Sequence, residues 1–120
     1  MQLNKHDLEE RTATFGENVI ELCKTIKPNI IRSPIIIQLI RSATSVGANY
    51  NEANNASSRK DFANKIFICK KEAQETKYWL RMLSKAVDDT AISQKLRFLW
   101  KECQELTMIF QKITNSLRGK

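Results

Sequence analysis

The sequence predicts an all-α protein, an antiparallel up-down-up-down four-helix bundle. Four segments repeat apolar residues at alternating spacings of four and three, which places those residues on one face of a helix. Only three glycines and two prolines occur among the 120 residues, so the turn chemistry that a many-stranded β protein needs is nearly missing. The joints between the segments are short, which makes successive helices antiparallel neighbours within a single domain spanning residues 1–120.

The first two helices are predicted over residues 5–27 and 34–54. Pro28 ends the first helix, because a proline disfavours helical geometry in the residue before it. Ser33 is predicted as the N-cap of the second helix, with Pro34 at the first helical position. The first apolar stripe is Leu8, Thr12, Phe15, Val19, Leu22 and Ile26. The second consists of smaller residues that let a neighbouring helix approach closely. Its members are Ile36, Ile40, Ala43, Gly47 and Tyr50.

The last two helices are predicted over residues 59–87 and 91–117. Ser58 caps the third helix, with Asp61 three residues later in a capping-box-like arrangement. Asp88 and Asp89 place negative charge just before the fourth helix, where the helix dipole favours it. The third stripe is Phe62, Ile66, Cys69, Ala73, Thr76, Leu80, Leu83 and Val87. The fourth stripe is Ile92, Leu96, Leu99, Cys103, Leu106, Phe110, Ile113 and Leu117.

The composition limits the chemistry that the chain can perform. A single histidine excludes a multi-histidine metal site, and the three cysteines include no Cys-x-x-Cys pair. We therefore expect no metal, no cofactor and no enzymatic activity, with the cysteines acting as small buried hydrophobes. The first eleven residues contain no apolar signal segment, so we expect a cytoplasmic protein.

Several apolar residues are predicted to point away from the core. Phe67 and Tyr78 do so on the third helix, and Phe98 and Ile109 do so on the fourth. Such residues indicate a protein interface, although scattered surface apolar residues are also common.

The first helix carries an acidic row, which consists of Glu10, Glu17 and Glu21. In an up-down-up-down bundle the first and third helices occupy opposite corners, so an acidic corner and a basic corner favour head-to-tail association into a closed ring.

A basic stripe on the third helix accounts for part of the net charge of +7. Its members are Lys70, Lys71, Lys77, Arg81 and Lys85. These side chains can contact phosphates, with Phe67 or Tyr78 available for base stacking. Two alternatives remain open, namely a solvated lysine face and a basic surface that serves the ring contact.

A polar row lies beside the stripe of the second helix and includes Ser45, Asn49 and Glu52. Folding the second and third helices antiparallel brings Arg41 near Glu72 and Glu75. It also brings Glu52 near Lys65 and Arg59. No general base is apparent beside the serines, so inter-helix ion pairs that fix the helix order are a better account than catalysis.

The stretches that carry a family resemblance are Arg41–Ala53, Arg59–Phe62, Lys70–Glu75 and Tyr78–Leu80. They resemble the small bacterial four-helix bundle proteins named after open reading frames in intervening sequences of 23S ribosomal RNA genes. The resemblance covers about residues 8–115. Its signature is Ser45, Asn49, Glu52, Asp61 and Phe62.

The resemblance implies a left-handed antiparallel bundle and, in known relatives, a ring of five protomers. It also implies kinship with the accessory proteins of diversity-generating retroelements, which are basic pentameric barrels that bind nucleic acid and a reverse transcriptase. It carries over no catalytic or cofactor residues.

Two functional hypotheses follow. The first is a non-enzymatic, self-associating bundle, a homopentamer whose basic surface binds RNA or a ribonucleoprotein or protein partner. The second is a structural interaction module that binds no nucleic acid. A third reading, an enzyme that uses Ser45, Asn49 and Glu52, is the least favoured.

Overall fold

The computed structural model describes residues 5–118, with side chains described from Asp7 onwards, and consists of four α-helices joined by short connections. No strand occurs within this part of the chain. The helices are α1 (Lys5–Lys24), α2 (Arg32–Asn54), α3 (Arg59–Ala86) and α4 (Thr90–Arg118). The predicted all-α four-helix architecture is confirmed. No helix among the described residues is long and apolar enough to cross a membrane.

The connection between α1 and α2 differs from the prediction at both ends. Helix α1 ends at Lys24, and the next residue, Thr25, donates its hydroxyl to the Leu22 carbonyl at 2.7 Å. Helix α2 begins at Arg32, so the prediction of Ser33 as its N-cap is wrong. Ile31 stands at the N-cap position without a side-chain cap, and the capping hydrogen bonds come from Asn29, whose side-chain oxygen accepts the backbone N–H groups of Ile31 at 3.0 Å and Arg32 at 2.7 Å.

The starts of α3 and α4 follow the prediction. The Ser58 hydroxyl oxygen accepts the backbone N–H of Asp61 at 3.0 Å, as expected for an N-cap. A carboxylate oxygen of Asp89 accepts the backbone N–H of Ile92 at 3.0 Å. At the other end of α3, the Arg32 side chain donates to the Ala86 carbonyl at 3.1 Å and so ties the start of α2 to the end of α3.

The four helices pack in sequence order around one core. Helix α1 contacts α2 and α4, α3 contacts the same two helices, and α1 and α3 make no helix-to-helix contact among the described residues. The first and third helices therefore occupy opposite corners, as predicted. Between α2 and α3 the contacts run in opposite directions, since Glu52 meets Lys65 at one end and Ser42 meets Thr76 further along. The left-handed turn of the bundle stays a prediction.

The core combines most of the predicted stripes of α1, α3 and α4, whose half-buried members Phe62, Ile92, Ile113 and Leu117 lie near the helix ends, with a shifted face of α2. The largest fully buried side chains include Phe15, Leu39, Ile66, Leu80, Leu106 and Phe110. On α2 the buried residues are Leu39, Ser42, Ala43, Val46, Tyr50 and Ala53. Ile36 and Ile40 of the predicted stripe are only half-buried. The face is shifted because α2 packs most closely against α3, where buried Ser42 accepts a hydrogen bond from Thr76 at 2.9 Å.

The three cysteines are free thiols buried in the helix interfaces, as predicted. The Cys69 thiol donates to the Val46 carbonyl at 3.6 Å, and the Cys103 thiol donates to the Ala73 carbonyl at 3.1 Å. Burial raises the pKa of both thiols to about 12. These groups pack α3 against its two neighbours and stay protonated.

Candidate nucleic-acid interface

The side of the bundle where α3 meets α4 carries a concentration of positive charge. We call this surface the α3–α4 seam and define it by eight residues. They are Lys70, Lys77, Arg81, Arg97, Trp100, Lys101, Gln104 and Gln111. All of its charged members are cations, and three of the five belong to the predicted basic stripe.

The carboxylates of α3 and α4 lie on other sides of the bundle. Glu102 and Glu105 bind Arg11 of α1 at 2.7 and 2.8 Å. Glu72 and Glu75 bind Arg41 of α2. The remaining one, Asp61, stands in the first turn of α3. Within residues 5–118, no seam cation forms an ion pair with a carboxylate.

Two seam lysines are held in place by neutral partners. The Lys70 ammonium donates to the side-chain oxygen of Gln111 at 2.8 Å, and Lys77 donates in the same way to Gln104. An amide oxygen satisfies a donor without neutralising its charge. The two half-buried ammonium groups are therefore positioned by α4 without a carboxylate to offset their charge.

Aromatic rings lie close to both lysines. The Lys70 ammonium is 5.6 Å from the centre of the Phe67 ring, and the Lys77 ammonium is 5.2 Å from the centre of the Trp100 ring. Both distances are within the range of cation–π attraction. Trp100 was not among the predicted aromatics, and it is the ring that lies on the seam itself.

The sequence analysis assigned none of the five seam residues of α4 to a basic surface, and three of these five are Arg97, Trp100 and Lys101. They line a groove of about 370 Å³ together with residues of α3 that include Arg81. At 100° per residue, positions 97, 100, 104 and 111 of α4 fall on one flank of its core stripe. This periodicity could have identified the seam residues of α4 as one group, but it does not determine which flank of α4 faces α3.

The other two members of the predicted basic stripe lie outside the seam. Lys71 and Lys85 are exposed and have no hydrogen-bond or ion-pair partner among the described residues. They share the outward side of α3 with Phe67 and Tyr78, which are 54% and 53% exposed. We call these four residues the outer ridge of α3. The predicted stripe is thus divided between two surfaces.

The predicted apolar interface residues are partly as expected. Phe98 is 70% exposed and lies beside Glu21 of α1. Ile109 does not point outward as predicted, because it is half-buried and packs against the core. On the helix surface it neighbours Leu106 and Ile113, which belong to the core side of α4. Its exposed neighbour Met108, which the sequence analysis missed, points outward instead.

The acidic row on α1 is exposed along its whole length. Glu10 accepts a hydrogen bond from Thr14 at 3.3 Å, and Glu21 pairs with Lys24 at 3.3 Å. Glu17 has no ion-pair or hydrogen-bond partner within residues 5–118. The row is therefore available to a positively charged partner.

The polar motif of α2 brings together the charges that the sequence paired. Arg41 binds both Glu72, at 3.4 Å, and Glu75. The indole N–H of Trp79 donates to Glu75 at 3.0 Å. This hydrogen bond and, after it, the one from Arg41 lower the pKa of Glu75 below its ordinary value of 4.5.

The second predicted group of charges is only partly assembled. Glu52 pairs with Lys65 at 2.7 Å. Arg59 does not join them, because its guanidinium donates to the Leu117 carbonyl of α4 at 3.4 Å. Arg59 therefore ties the start of α3 to the end of α4.

The serine and asparagine of this motif are occupied within α2. The Ser45 hydroxyl donates to the Arg41 carbonyl at 2.7 Å, and the Asn49 amide donates to the Ser45 carbonyl at 2.8 Å. No group of three or more His, Cys, Asp or Glu side chains suited to a metal ion occurs in the described part of the chain. Among the described residues the Ser45 hydroxyl forms no hydrogen bond with a carboxylate, and the absence of enzymatic activity stays a prediction.

Comparison with known proteins agrees with the fold. The chain is similar to the crystal structure of a protein of unknown function from the S23 ribosomal protein family of Bacteroides thetaiotaomicron. The two are 29% identical over 94% of this chain and 99% of that one, with a TM-score of 0.82. No curated protein matches the sequence. A family model described as 23S rRNA-intervening sequence protein matches residues 4–112. The chain therefore belongs to the 23S rRNA-intervening sequence protein family.

Proposed function

We propose that this protein is a non-enzymatic RNA-binding protein that acts as a homopentameric ring. The observation that carries the proposal is the separation of charge on α3 and α4. Four of their five carboxylates bind arginines of α1 and α2, while the five cations of the α3–α4 seam form no ion pair with a carboxylate among the described residues. An RNA phosphate backbone is the natural counterpart of such a surface.

Preorganisation adds to the charge. Lys70 and Lys77 are already held by glutamines, so little side-chain freedom is lost when they contact phosphates. Arg81, Arg97 and Lys101 are exposed and free to adjust to the backbone of a bound strand. The seam thus combines two fixed and three adaptable cations.

The ring is proposed to form through other surfaces. The acidic row of α1 and the exposed Phe98 lie at one side of the bundle, and the outer ridge of α3 lies at the opposite corner. Head-to-tail contact between these two sides repeats around a closed ring and leaves the seam uncovered. Five seams in one ring multiply the number of phosphate contacts.

The three free, buried thiols are consistent with action in the cytoplasm. Proteins of oxidising compartments form disulfides, whereas reduced thiols persist in the cytosol. The proposed partner is therefore a cytoplasmic RNA or ribonucleoprotein.

Fluorescence anisotropy with a labelled RNA hairpin tests the binding. We expect log Kd to rise with log salt concentration, with a slope of about 4 for five phosphate contacts per protomer. Replacing Lys77 and Arg81 by Gln should lower that slope by about two units. Lys112→Gln is the matched control, because Lys112 is exposed on α4 outside the seam. An absence of binding at low salt contradicts RNA binding and favours the structural interaction module.

Native mass spectrometry, with and without nuclease, tests the ring and separates it from RNA binding. Reversing Lys71 and Lys85 to Glu should lower the subunit number, since both lie on the outer ridge. The variant with Lys77 and Arg81 replaced by Gln should keep the parental mass. If that second variant falls apart instead, the basic surface serves the ring contact, which is the alternative function.

A further inference from the structure

The α3–α4 seam ends in a groove near the connection between the two helices. Its floor is formed by the buried side chains of Leu80 and Leu96. Its sides are formed by Trp100 and by three cations, which are Arg81, Arg97 and Lys101. The volume of about 370 Å³ lies within the range typical of small-molecule sites.

The indole ring of Trp100 is partly exposed and lies against a lysine. It is 39% exposed, and the Lys77 ammonium lies 5.2 Å from its centre. Trp100 lines the groove and Lys77 does not, so the lysine contacts the ring from outside the groove. A ring held in this way loses little freedom when a second flat ring packs against it.

The polar side chains around the groove have no partner among the described residues. Arg81, Arg97 and Lys101 form no ion pair within residues 5–118. The hydroxyls of Ser84 and Ser93, which also line the groove, have no hydrogen-bond partner in the same part of the chain. The site therefore joins an apolar floor and an aromatic wall to a cationic rim.

We propose that this groove is a subsite for one unstacked nucleotide of single-stranded RNA, a proposal that rests on the proposed RNA-binding function. The base packs on Trp100 over the leucine floor, the adjoining phosphates contact Arg81, Arg97 and Lys101, and the serine hydroxyls meet polar edges of the base or sugar. Stacking of this kind accepts any base. Bases inside a duplex are already stacked, so the subsite selects single-stranded segments.

The groove can be tested in a Trp79→Phe background, which leaves Trp100 as the sole tryptophan. The probes are a single-stranded RNA decamer, the same strand as a duplex, and an abasic strand of equal charge. We expect the decamer alone to quench Trp100 fluorescence. In the parental protein, Trp100→Leu should weaken decamer binding about tenfold and leave the affinity for the abasic strand unchanged.

Two further variants guard against a folding defect. Arg97→Gln alters only an exposed rim residue and should weaken decamer and abasic strand binding alike, because it removes a phosphate contact. Met108→Leu alters an exposed apolar side chain of α4 that lies neither in the groove nor on the proposed ring surfaces, and should change neither affinity. Circular dichroism verifies that each variant keeps its helical content.

The outcomes separate the subsite from the function on which it rests. If Trp100→Leu weakens duplex and single-strand binding equally, or if the abasic strand quenches Trp100 as well as the decamer does, the subsite is refuted and RNA binding stands. If the parental protein binds none of the strands at low salt, the proposed function fails. In that case, quenching of Trp100 fluorescence by uridine monophosphate tests whether the groove binds a nucleotide. Quenching by this nucleotide but not by ribose phosphate supports a nucleotide site, and no quenching refutes it.

Discussion

Gly16 offers a sharp test of how closely α1 and α2 approach. It is buried in the middle of α1 with an ordinary helical backbone, since no glycine among the described residues has a positive φ. A Cβ atom added there would lie 3.7 Å from the Ala43 carbonyl oxygen and from two atoms of Thr44. These are ordinary van der Waals distances, so the substitution Gly16→Ala fits without movement of either helix.

The expected effect is a gain in stability. Alanine is more favourable than glycine in a helix interior by about 1 kcal/mol, and the added methyl group is also buried. We therefore expect the free energy of unfolding to rise by about 1 kcal/mol and Tm to rise by about 4 °C for a chain of this length. Urea and thermal unfolding followed by circular dichroism measure both, at one fixed protein concentration because self-association also affects stability.

Gly47 provides the matched comparison on the facing helix. A Cβ atom there would lie 3.4 Å from three atoms of Thr12, at the edge of a comfortable contact. Gly47→Ala should therefore gain less than Gly16→Ala. A loss of stability in Gly16→Ala would refute the reasoning, because it would mean that α1 and α2 pack more tightly at Gly16 than these distances allow.

Three further predictions concern acid sensitivity, helix capping and thiol reactivity. Because the indole N–H of Trp79 and then an arginine lower the pKa of Glu75 below 4.5, its carboxylate stabilises the fold above that pH. This stabilisation is lost as the pH falls through the native pKa. Below about pH 4.5, the urea midpoint of Glu75→Gln should therefore fall less steeply with decreasing pH than that of the parental protein. Equal slopes for the two proteins would contradict the prediction. Ser58→Ala should cost about 1 kcal/mol in urea unfolding, whereas Ser57→Ala, which removes no cap, should cost little. Burial raises the pKa of Cys69 to about 12, so Ellman's reagent should label it only after unfolding, and rapid labelling of the native protein would disprove its burial.

The sequence was sufficient for the number of helices and for most of the core, because apolar periodicity follows directly from helix geometry. It was insufficient where two residues competed for one role. Asn29 and Ser33 are both good N-caps, and the Ser-Pro pair favoured the later one. The capping hydrogen bonds come from Asn29, since its side chain reaches two backbone N–H groups.

The candidate site was predictable on α3 and not on α4. Helical periodicity separates the buried side of a helix from its outer side, but the flank that meets a given neighbour depends on how the bundle turns. The cations of α3 stood out as a stripe, whereas Arg97 and Trp100 gained significance only once α4 was placed beside Lys77. Pairing of Arg41 with Glu72 and Glu75 was foreseen because antiparallel register fixes it.

The ion pairs of Arg11 and Arg41 with glutamates affect the distribution of charge that an approaching partner meets. Each arginine holds two carboxylates, so each cluster keeps one net negative charge on a side of the bundle away from the seam. Together with the acidic row of α1, these clusters place uncompensated negative charge on other sides of the bundle than the seam. For the proposed RNA partner, this distribution of charge favours an approach towards the seam, and the preference weakens as salt screens the charges.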